Sequence, residues 1–182
     1  MKLPRAITHE RRLADSEDLL AAFLGQVGEL GEKLGPILTQ LPPSLAFEPA
    51  SAQAFLRMLR RRFAGPVACE PRHASWFTAE ADRLLRDHGV ARVAADPARI
   101  PEAARPGGAA DLLYVRLHGA PRIYFSPYPA AEIDHWAALI ARSPATDRWC
   151  ILDNTGLGHA AADALEMRAR LEESERGGIA DL

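Results

Sequence analysis

The sequence predicts an α/β protein made of parallel β/α units. Short apolar segments alternate with longer amphipathic segments along nearly the whole chain of 182 residues. Such alternation is typical of parallel strands joined by crossover helices. The chain is 48% hydrophobic, which is enough to bury one substantial core.

The predicted strands are short, apolar and bounded by proline, glycine or polar residues. There are about six, at 2–7, 36–43, 66–70, 90–96, 111–119 and 148–154. The predicted helices show apolar residues at helical spacing. They lie at 16–35, 51–65, 75–89, 129–143 and 158–173.

Local signals set the expected ends of these elements. Ser16 and Ser51 are expected to cap the first two helices, and Pro129 suits the first turn of the fourth. Residues 97–110 are rich in proline and glycine and predict a loop with one helical turn. Residues 174–182 predict a polar, frayed tail.

Charge and cysteine content exclude several classes of protein. The net charge of −2 gives no general attraction to nucleic acid or to an anionic membrane. No apolar segment is long enough to span a bilayer, and the first residues lack the apolar core of a signal peptide. Cys69 and Cys150 lie in apolar segments without metal-type spacing, so we expect reduced, buried thiols in a cytoplasmic protein.

The alternation fits two arrangements of the sheet, an open doubly wound sheet and a closed barrel. No glycine-rich phosphate loop follows any predicted strand, which removes the best support for a nucleotide-binding open sheet. In a barrel, functional residues gather at the carboxyl ends of the strands. Each predicted strand ends in polar residues: His9, Gln40, Glu70 with Arg72 and His73, Asp96, Arg116 with His118, and Asp153 with Asn154.

The segment 111–119, DLLYVRLHG, supports the barrel. With a period of two, Val115 and Leu117 face outward toward helices, and Arg116 and His118 face inward with Tyr114. A buried guanidinium needs a carboxylate partner. We therefore expect Arg116 to be buried and paired with Glu70, Asp96 or Asp153.

Six stretches of the chain resemble the YecE-like family, also called domain of unknown function 72. They are ITHERRL, LGEKLGPILTQLPPS, CEPRHASW, YVRLHG, SPYPAAEIDHWA and ILDNTGLGHAAADAL. They cover nearly the whole chain in the family's order. The resemblance implies a TIM-type barrel with a polar cleft at the strand ends, and it implies no particular reaction.

Family members begin with roughly two more β/α units. Met1 of this chain therefore corresponds to a position within their third strand. The expected fold is therefore one YecE-like domain over 1–182, a TIM-type (β/α) barrel truncated at its N-terminus to about six parallel strands and left open. Its first and last strands should not meet, leaving Leu3, Ile7, Ile151 and Leu152 poorly buried. An oligomer partner or a missing fragment would cover these edges.

The preferred function is an enzyme that acts on a small anionic or phosphorylated substrate, derived from a sugar or a nucleotide. The catalytic candidates are Glu70, His118 and Asp153. The substrate-binding candidates are His9, Gln40, Arg72, His73, Asp96, Arg116, Tyr128 and Asn154. No metal is assigned, because no close pair of metal ligands occurs, and the cofactor is left open. A metal site stays an alternative, since the strand ends carry oxygen and nitrogen ligands: His9, Glu70, His73, Asp96, His118 and Asp153.

Other interpretations stay open at this point. A nucleic-acid-binding or repair-type barrel would show a basic rim continuous with Arg72 and Arg116. A non-catalytic remnant would show an incomplete site. Purely structural roles also fit: a buried ion pair for Arg116, a turn for Asp96, and helix capping for Asp153 and its neighbour.

Overall fold

The structure, a computed structural model, describes residues 1–179. Its strands are β1 Ile37–Gln40, β2 Val67–Glu70, β3 Val90–Arg92, β4 Ala94–Asp96, β5 Gly107–Gly108, β6 Leu112–Leu117 and β7 Asp147–Leu152. Its α-helices are α1 Glu17–Gly28, α2 Pro49–Arg62, α3 Ala79–Asp87, α4 Ala130–Ala141 and α5 His159–Ile179. From α1 onward the predicted order of strands and helices is confirmed.

The strands form two sheets that share one continuous segment. β1, β2 and β3 pair in parallel, and so do β4, β6 and β7. Val93 lies between β3 and β4, and its N–H donates to the carbonyl of Cys69 at 2.9 Å. The segment 90–96 therefore passes from one sheet into the other, and β5 adds only a short antiparallel edge to β3.

Within residues 1–179 the strands do not close into a barrel, because β1 and β7 form no pairs with each other. At the amino ends of these strands, the Trp149 ring lies against Gly35. A β-carbon added to Gly35 would stand 2.6 Å from that ring. The described part of the chain is thus an open α/β structure with parallel sheets.

The first predicted strand is mostly wrong. Lys2 forms a single parallel bridge with Leu38, and then Ala6–Glu10 forms a short π-helix. Pro4 explains the change, because proline has no N–H to donate to a sheet. Its carbonyl instead accepts the N–H of Ile7 at 3.1 Å, which starts the helical turn.

The expected exposure of four apolar residues is half right. Ile151 and Leu152 of β7 are only partly buried, as expected for an unpaired edge. Leu3 and Ile7, however, are 1% and 0% exposed. They belong to the core that α1 and α2 cover, because the π-helical turn folds back over the sheet.

Two helix starts also differ from the expectation. The Ser16 hydroxyl makes no capping bond and donates to the carbonyl of Leu13. α2 begins at Pro49, and the carboxylate of Glu48 caps it by accepting the N–H of Ser51 at 2.7 Å. Proline suits the first helical position because that N–H would have no partner in the helix.

α5 continues to Ile179, so the segment predicted as a tail is helical to that point, and 180–182 lie outside the described residues. No helix among residues 1–179 has the length and apolar content needed to cross a membrane.

The alternation predicted for β6 is confirmed. Val115 and Leu117 are fully buried beneath α4, in a cluster with Ile133 and Trp136. On the other face, Tyr114 belongs to an inner cluster. Arg116 shares that inner face, at the carboxyl end of the strand.

Candidate functional site

The centre of the site is an ion network around Arg116, which is 9% exposed. One guanidinium nitrogen lies 2.5 Å from Oε2 of Glu70, at the end of β2. Another contacts Oδ2 of Asp153, which follows β7. The expectation that Arg116 is buried and paired with carboxylates is therefore confirmed, and the two bonds tie three strands together.

Glu70 accepts three further hydrogen bonds. Nε of Arg72 donates to Oε1 at 3.0 Å, and the Gln40 amide donates to both carboxylate oxygens at 3.1 Å. Parallel strands place their carboxyl ends on the same side, which brings these side chains together. Glu70, Arg72 and Arg116, which were expected at one end of the sheet, therefore meet there, and Gln40 joins them.

His118 joins the network through Asp153. Its Nδ1 lies 3.1 Å from Oδ2 of Asp153, and the imidazole side chain is 8% exposed. The distance is that of an ion pair, but the angle is not that of an aligned hydrogen bond. A carboxylate beside one imidazole nitrogen orients the ring.

Both carboxylates are held in the ionised form. Burial alone would raise the pKa of Glu70, but Arg116 and Arg72 outweigh burial and hold that pKa below its usual value. Burial likewise opposes ionisation of Asp153, and its contacts with His118 and Arg116 lower its pKa. At neutral pH these groups therefore act as fixed negative charges.

A turn over His118 completes the site. The Tyr124 N–H donates to the carbonyl of His118 at 2.6 Å, and the Tyr124 carbonyl accepts the N–H of Gly156 at 2.8 Å. The rings of Tyr124 and His118 meet edge to face, with centroids 5.9 Å apart. A side chain on Gly156 would place a β-carbon 2.9 Å from the Phe125 ring, so glycine allows this close approach.

A cavity of about 320 Å³ opens beside this network. Glu70, Arg72 and His118 lie in its polar wall, and Phe77, Ile100 and Ile123 lie in its apolar wall. A cleft at the strand ends with a few converging ionisable groups is typical of a small-molecule site.

Three predicted site residues have structural partners elsewhere. The Tyr128 hydroxyl donates to a carboxylate oxygen of Asp96 at 2.7 Å and accepts the N–H of Gly119 at 2.9 Å. Tyr128 is 5% exposed and does not line the cavity, so its place differs from that expected of a substrate-binding residue. Asn154 is fully buried and donates to Asp163 at 2.6 Å, which leaves it unavailable to a ligand.

The two remaining histidine candidates lie outside the cavity wall. His73 caps the short helical turn Ala74–Trp76, where its Nδ1 accepts the N–H of Ser75 at 3.2 Å. His9 lies in the π-helix, 2.8 Å from the Thr8 hydroxyl. Burial, followed by nearby positive charges, lowers the pKa of His9.

Sequence reasoning missed most of the cavity wall. Arg99 follows β4 and lines the cavity, and no carboxylate among the described side chains lies within 4.0 Å of its guanidinium. Ile123 and Tyr124 are 42% and 48% exposed at the cavity mouth. One signal could have identified Ile123 and Tyr124. They form an apolar pair in a proline-bounded loop directly after a strand, and a loop at that position has no hydrophobic core in which to bury them.

The described residues contain no group of three or more His, Cys, Asp or Glu side chains arranged to hold a metal ion. The anionic groups Glu70 and Asp153 instead share Arg116 as an ion-pair partner, and Glu70 also pairs with Arg72.

Comparison with solved structures gives the same fold. A DUF72 family protein from Thermotoga maritima superposes with a TM-score of 0.77 and 26% identity, covering 94% of this chain and 72% of its own. A DUF72 family protein from Enterococcus faecalis V583 was solved twice, with TM-scores of 0.78 and 0.77 and identities of 22% and 24%. These two structures cover 94% of this chain and 73% and 77% of their own.

No curated protein sequence matches the chain significantly. The family model described as a protein of unknown function, DUF72, matches residues 1–180. This is nearly the full length, and it agrees with the resemblance read from the sequence motifs. The chain therefore belongs to the DUF72 family.

Proposed function

We propose that this protein is an enzyme that binds a small anionic molecule beside His118 and uses that imidazole for proton transfer. The observation that carries the proposal is the position of His118, in the wall of a cavity of about 320 Å³ and 3.1 Å from Asp153. A histidine next to a carboxylate and open to a cavity is the arrangement of a general acid or base.

Asp153 positions the imidazole in this proposal. Glu70 was also a candidate for proton exchange, but its lowered pKa makes it a poor proton donor near neutral pH. Its role is to hold Arg72 and Arg116 in place. Arg116 has two carboxylate partners, so we assign it to positioning rather than to substrate binding.

The negative charge of the substrate is inferred from two cations at the cavity. Arg72 is bound to Glu70 on one side, and Arg99 has no carboxylate partner in the described chain. A guanidinium can bind a carboxylate or a phosphate through two parallel hydrogen bonds. Phosphorylated sugars and nucleotides, expected from the sequence, belong to this class of small anions.

The fold supports the same proposal if the open sheet is part of a TIM-type barrel. Inward side chains of neighbouring strands, such as Leu38, Ala68, Val93 and Tyr114, form one apolar cluster below the charged residues. A packed interior with polar groups at the carboxyl ends of the strands is the plan of TIM-barrel enzymes. The reduced thiols of Cys69 and Cys150 fit a cytoplasmic enzyme.

The nucleic-acid alternative has less support. It requires a basic rim that includes Arg116, but this residue is buried and neutralised by Glu70 and Asp153. The net charge of −2 also gives no general attraction to a phosphate backbone.

The test is turnover of a panel of small carboxylates and phosphates in deuterated water, followed by NMR. Hydrolysis would give new species, and isomerisation would exchange carbon-bound protons for deuterium. We expect His118→Gln to lower the rate by roughly 10²-fold or more, because general acid–base catalysis contributes about that factor. The control is His135→Gln, which removes an exposed histidine of α4.

Two results would contradict the proposal. One is a His118→Gln variant that turns over a substrate as fast as the parent protein. The other is a panel in which no member binds near His118, which would favour a non-catalytic remnant.

A further inference from the structure

The wall of the cavity beside His118 is unusually poor in neutral polar side chains. Of its thirteen residues, eight are aliphatic, proline or phenylalanine, four are ionisable, and one is Tyr124. None of these thirteen is Ser, Thr, Asn or Gln. The wall can therefore accommodate a charge at one end and apolar surface elsewhere.

This composition discriminates against sugars. The hydroxyl groups of a sugar ring need hydrogen-bond partners once water is removed, and each one left unpaired lowers affinity by roughly tenfold. A flat or branched hydrocarbon has no such requirement and gains from leaving water. The wall thus favours an apolar body over a polyhydroxylated one.

The turn that carries Ile123 and Tyr124 points to the same class of ligand. Both side chains are exposed by more than 40% at the mouth of the cavity, where an apolar ligand could cover them. Tyr124 has a φ of 71°, a conformation that is costly for a residue other than glycine. Its hydrogen bonds to His118 and Gly156 maintain this conformation and fix the ring beside the imidazole.

Arg99 supplies a positive charge in the cavity wall. Its side chain is exposed at the cavity, and none of the carboxylates that the structure describes neutralises it. By contrast, Arg72 already shares its charge with Glu70, at 2.9 Å. An acidic group on the ligand would therefore meet Arg99 first.

We propose that the cavity takes a compact aromatic or branched aliphatic acid, with its apolar body against Phe77, Ile100 and Ile123 and its acidic group on Arg99. This inference rests on the proposed function, because it names the class of substrate for the same site. It replaces the phosphorylated sugar by a carboxylate or phosphate that carries a hydrocarbon body.

The experiment compares three probes by calorimetry and by NMR of the histidine side chains. Indole-3-acetate has both features, indole-3-acetamide has the same shape without the charge, and D-glucuronate has the charge with hydroxyl groups. We expect indole-3-acetate to bind about tenfold or more tightly than either other probe. It should also shift the resonances of His118.

Two pairs of variants separate the contributions. Arg99→Gln should remove the preference for the acid over the amide, whereas Arg105→Gln, an exposed arginine outside the cavity wall, should preserve it. Ile123→Ser should weaken both indole probes, whereas Leu165→Ser, at a residue that is 59% exposed on α5, should not.

The outcomes distinguish this inference from the proposed function. If D-glucuronate binds as tightly as indole-3-acetate and shifts His118, an anion site exists but the apolar class is wrong. If Ile123→Ser or Arg99→Gln has no more effect than its control, the assigned contacts are wrong. If no probe shifts His118, the inference fails, and the panel in deuterated water then decides whether the proposed function fails with it.

Discussion

Replacement of Arg116 by methionine should destabilise the protein strongly at neutral pH. The variant keeps most of the apolar side-chain volume but leaves Glu70 and Asp153 without their shared cation. The Glu70 side chain is 5% exposed and that of Asp153 is 25% exposed. Removing one partner of a buried ion pair typically costs 3–5 kcal/mol, because a charge remains buried without compensation.

The structure places the expected loss at the low end, about 3 kcal/mol. Glu70 keeps its bonds from Arg72 and Gln40, and Asp153 keeps His118 and some contact with water. A loss of this size is still a large part of the stability of a typical domain, about 5–15 kcal/mol. The fold should persist, with a clearly lower midpoint of unfolding.

The loss should also depend on pH, with a defined sign. In the parent protein the pKa values of Glu70 and Asp153 are lowered, so their stabilisation is present above the unfolded pKa of about 4 and disappears as pH falls through the folded value. In the variant, burial without the cation raises both pKa values. Protonation then relieves the penalty, so the loss relative to the parent should shrink toward about pH 4.5.

The assay is urea unfolding, followed by tryptophan fluorescence, at pH 7 and at about pH 4.5. The control is Arg168→Met, which removes an exposed ion pair with Glu172 at 3.5 Å and should cost less than about 0.5 kcal/mol. A loss below about 1 kcal/mol for Arg116→Met at pH 7 would refute the argument, and so would an equal loss at both pH values.

Two further predictions concern the turn and the thiols. Gly156→Ala should displace the turn over His118, because the new β-carbon would stand 2.9 Å from the Phe125 ring. We expect the free energy of unfolding to fall by about 1–3 kcal/mol. An unchanged melting temperature would contradict this prediction. Cys69 and Cys150 should resist iodoacetamide at pH 8 until urea is added, because burial raises the pKa of both thiols, that of Cys150 to about 12. Mass spectrometry checks the labelling, and rapid labelling of the native protein would contradict the burial argument.

The sequence by itself determined the order of the elements and much of the charged network. Periodicity along DLLYVRLHG is enough to place Arg116 and His118 on the face opposite to Val115, because side chains of a strand alternate whatever surrounds it. The cost of burying a guanidinium then predicts carboxylate partners, and Glu70 and Asp153 stood at the ends of other predicted strands. These conclusions follow from local geometry and charge alone.

The tertiary structure decided which polar residues meet. Asp96 and Tyr128 are far apart in sequence and bind each other, and Asn154 is sealed in the core, although all three carry side chains suited to a ligand site. Sequence cannot separate these cases, because a hydrogen bond within the protein and one to a ligand need the same chemical groups.

The cavity wall was likewise a product of tertiary structure. Arg99 and Tyr124 come from two loops whose paths depend on contacts with distant strand ends, such as the bond from Gly156 to Tyr124. Leu3 is buried for a similar reason, since the turn after it folds over the sheet instead of extending along it. Loop positions depend on many weak long-range contacts, which a local pattern of residues does not encode.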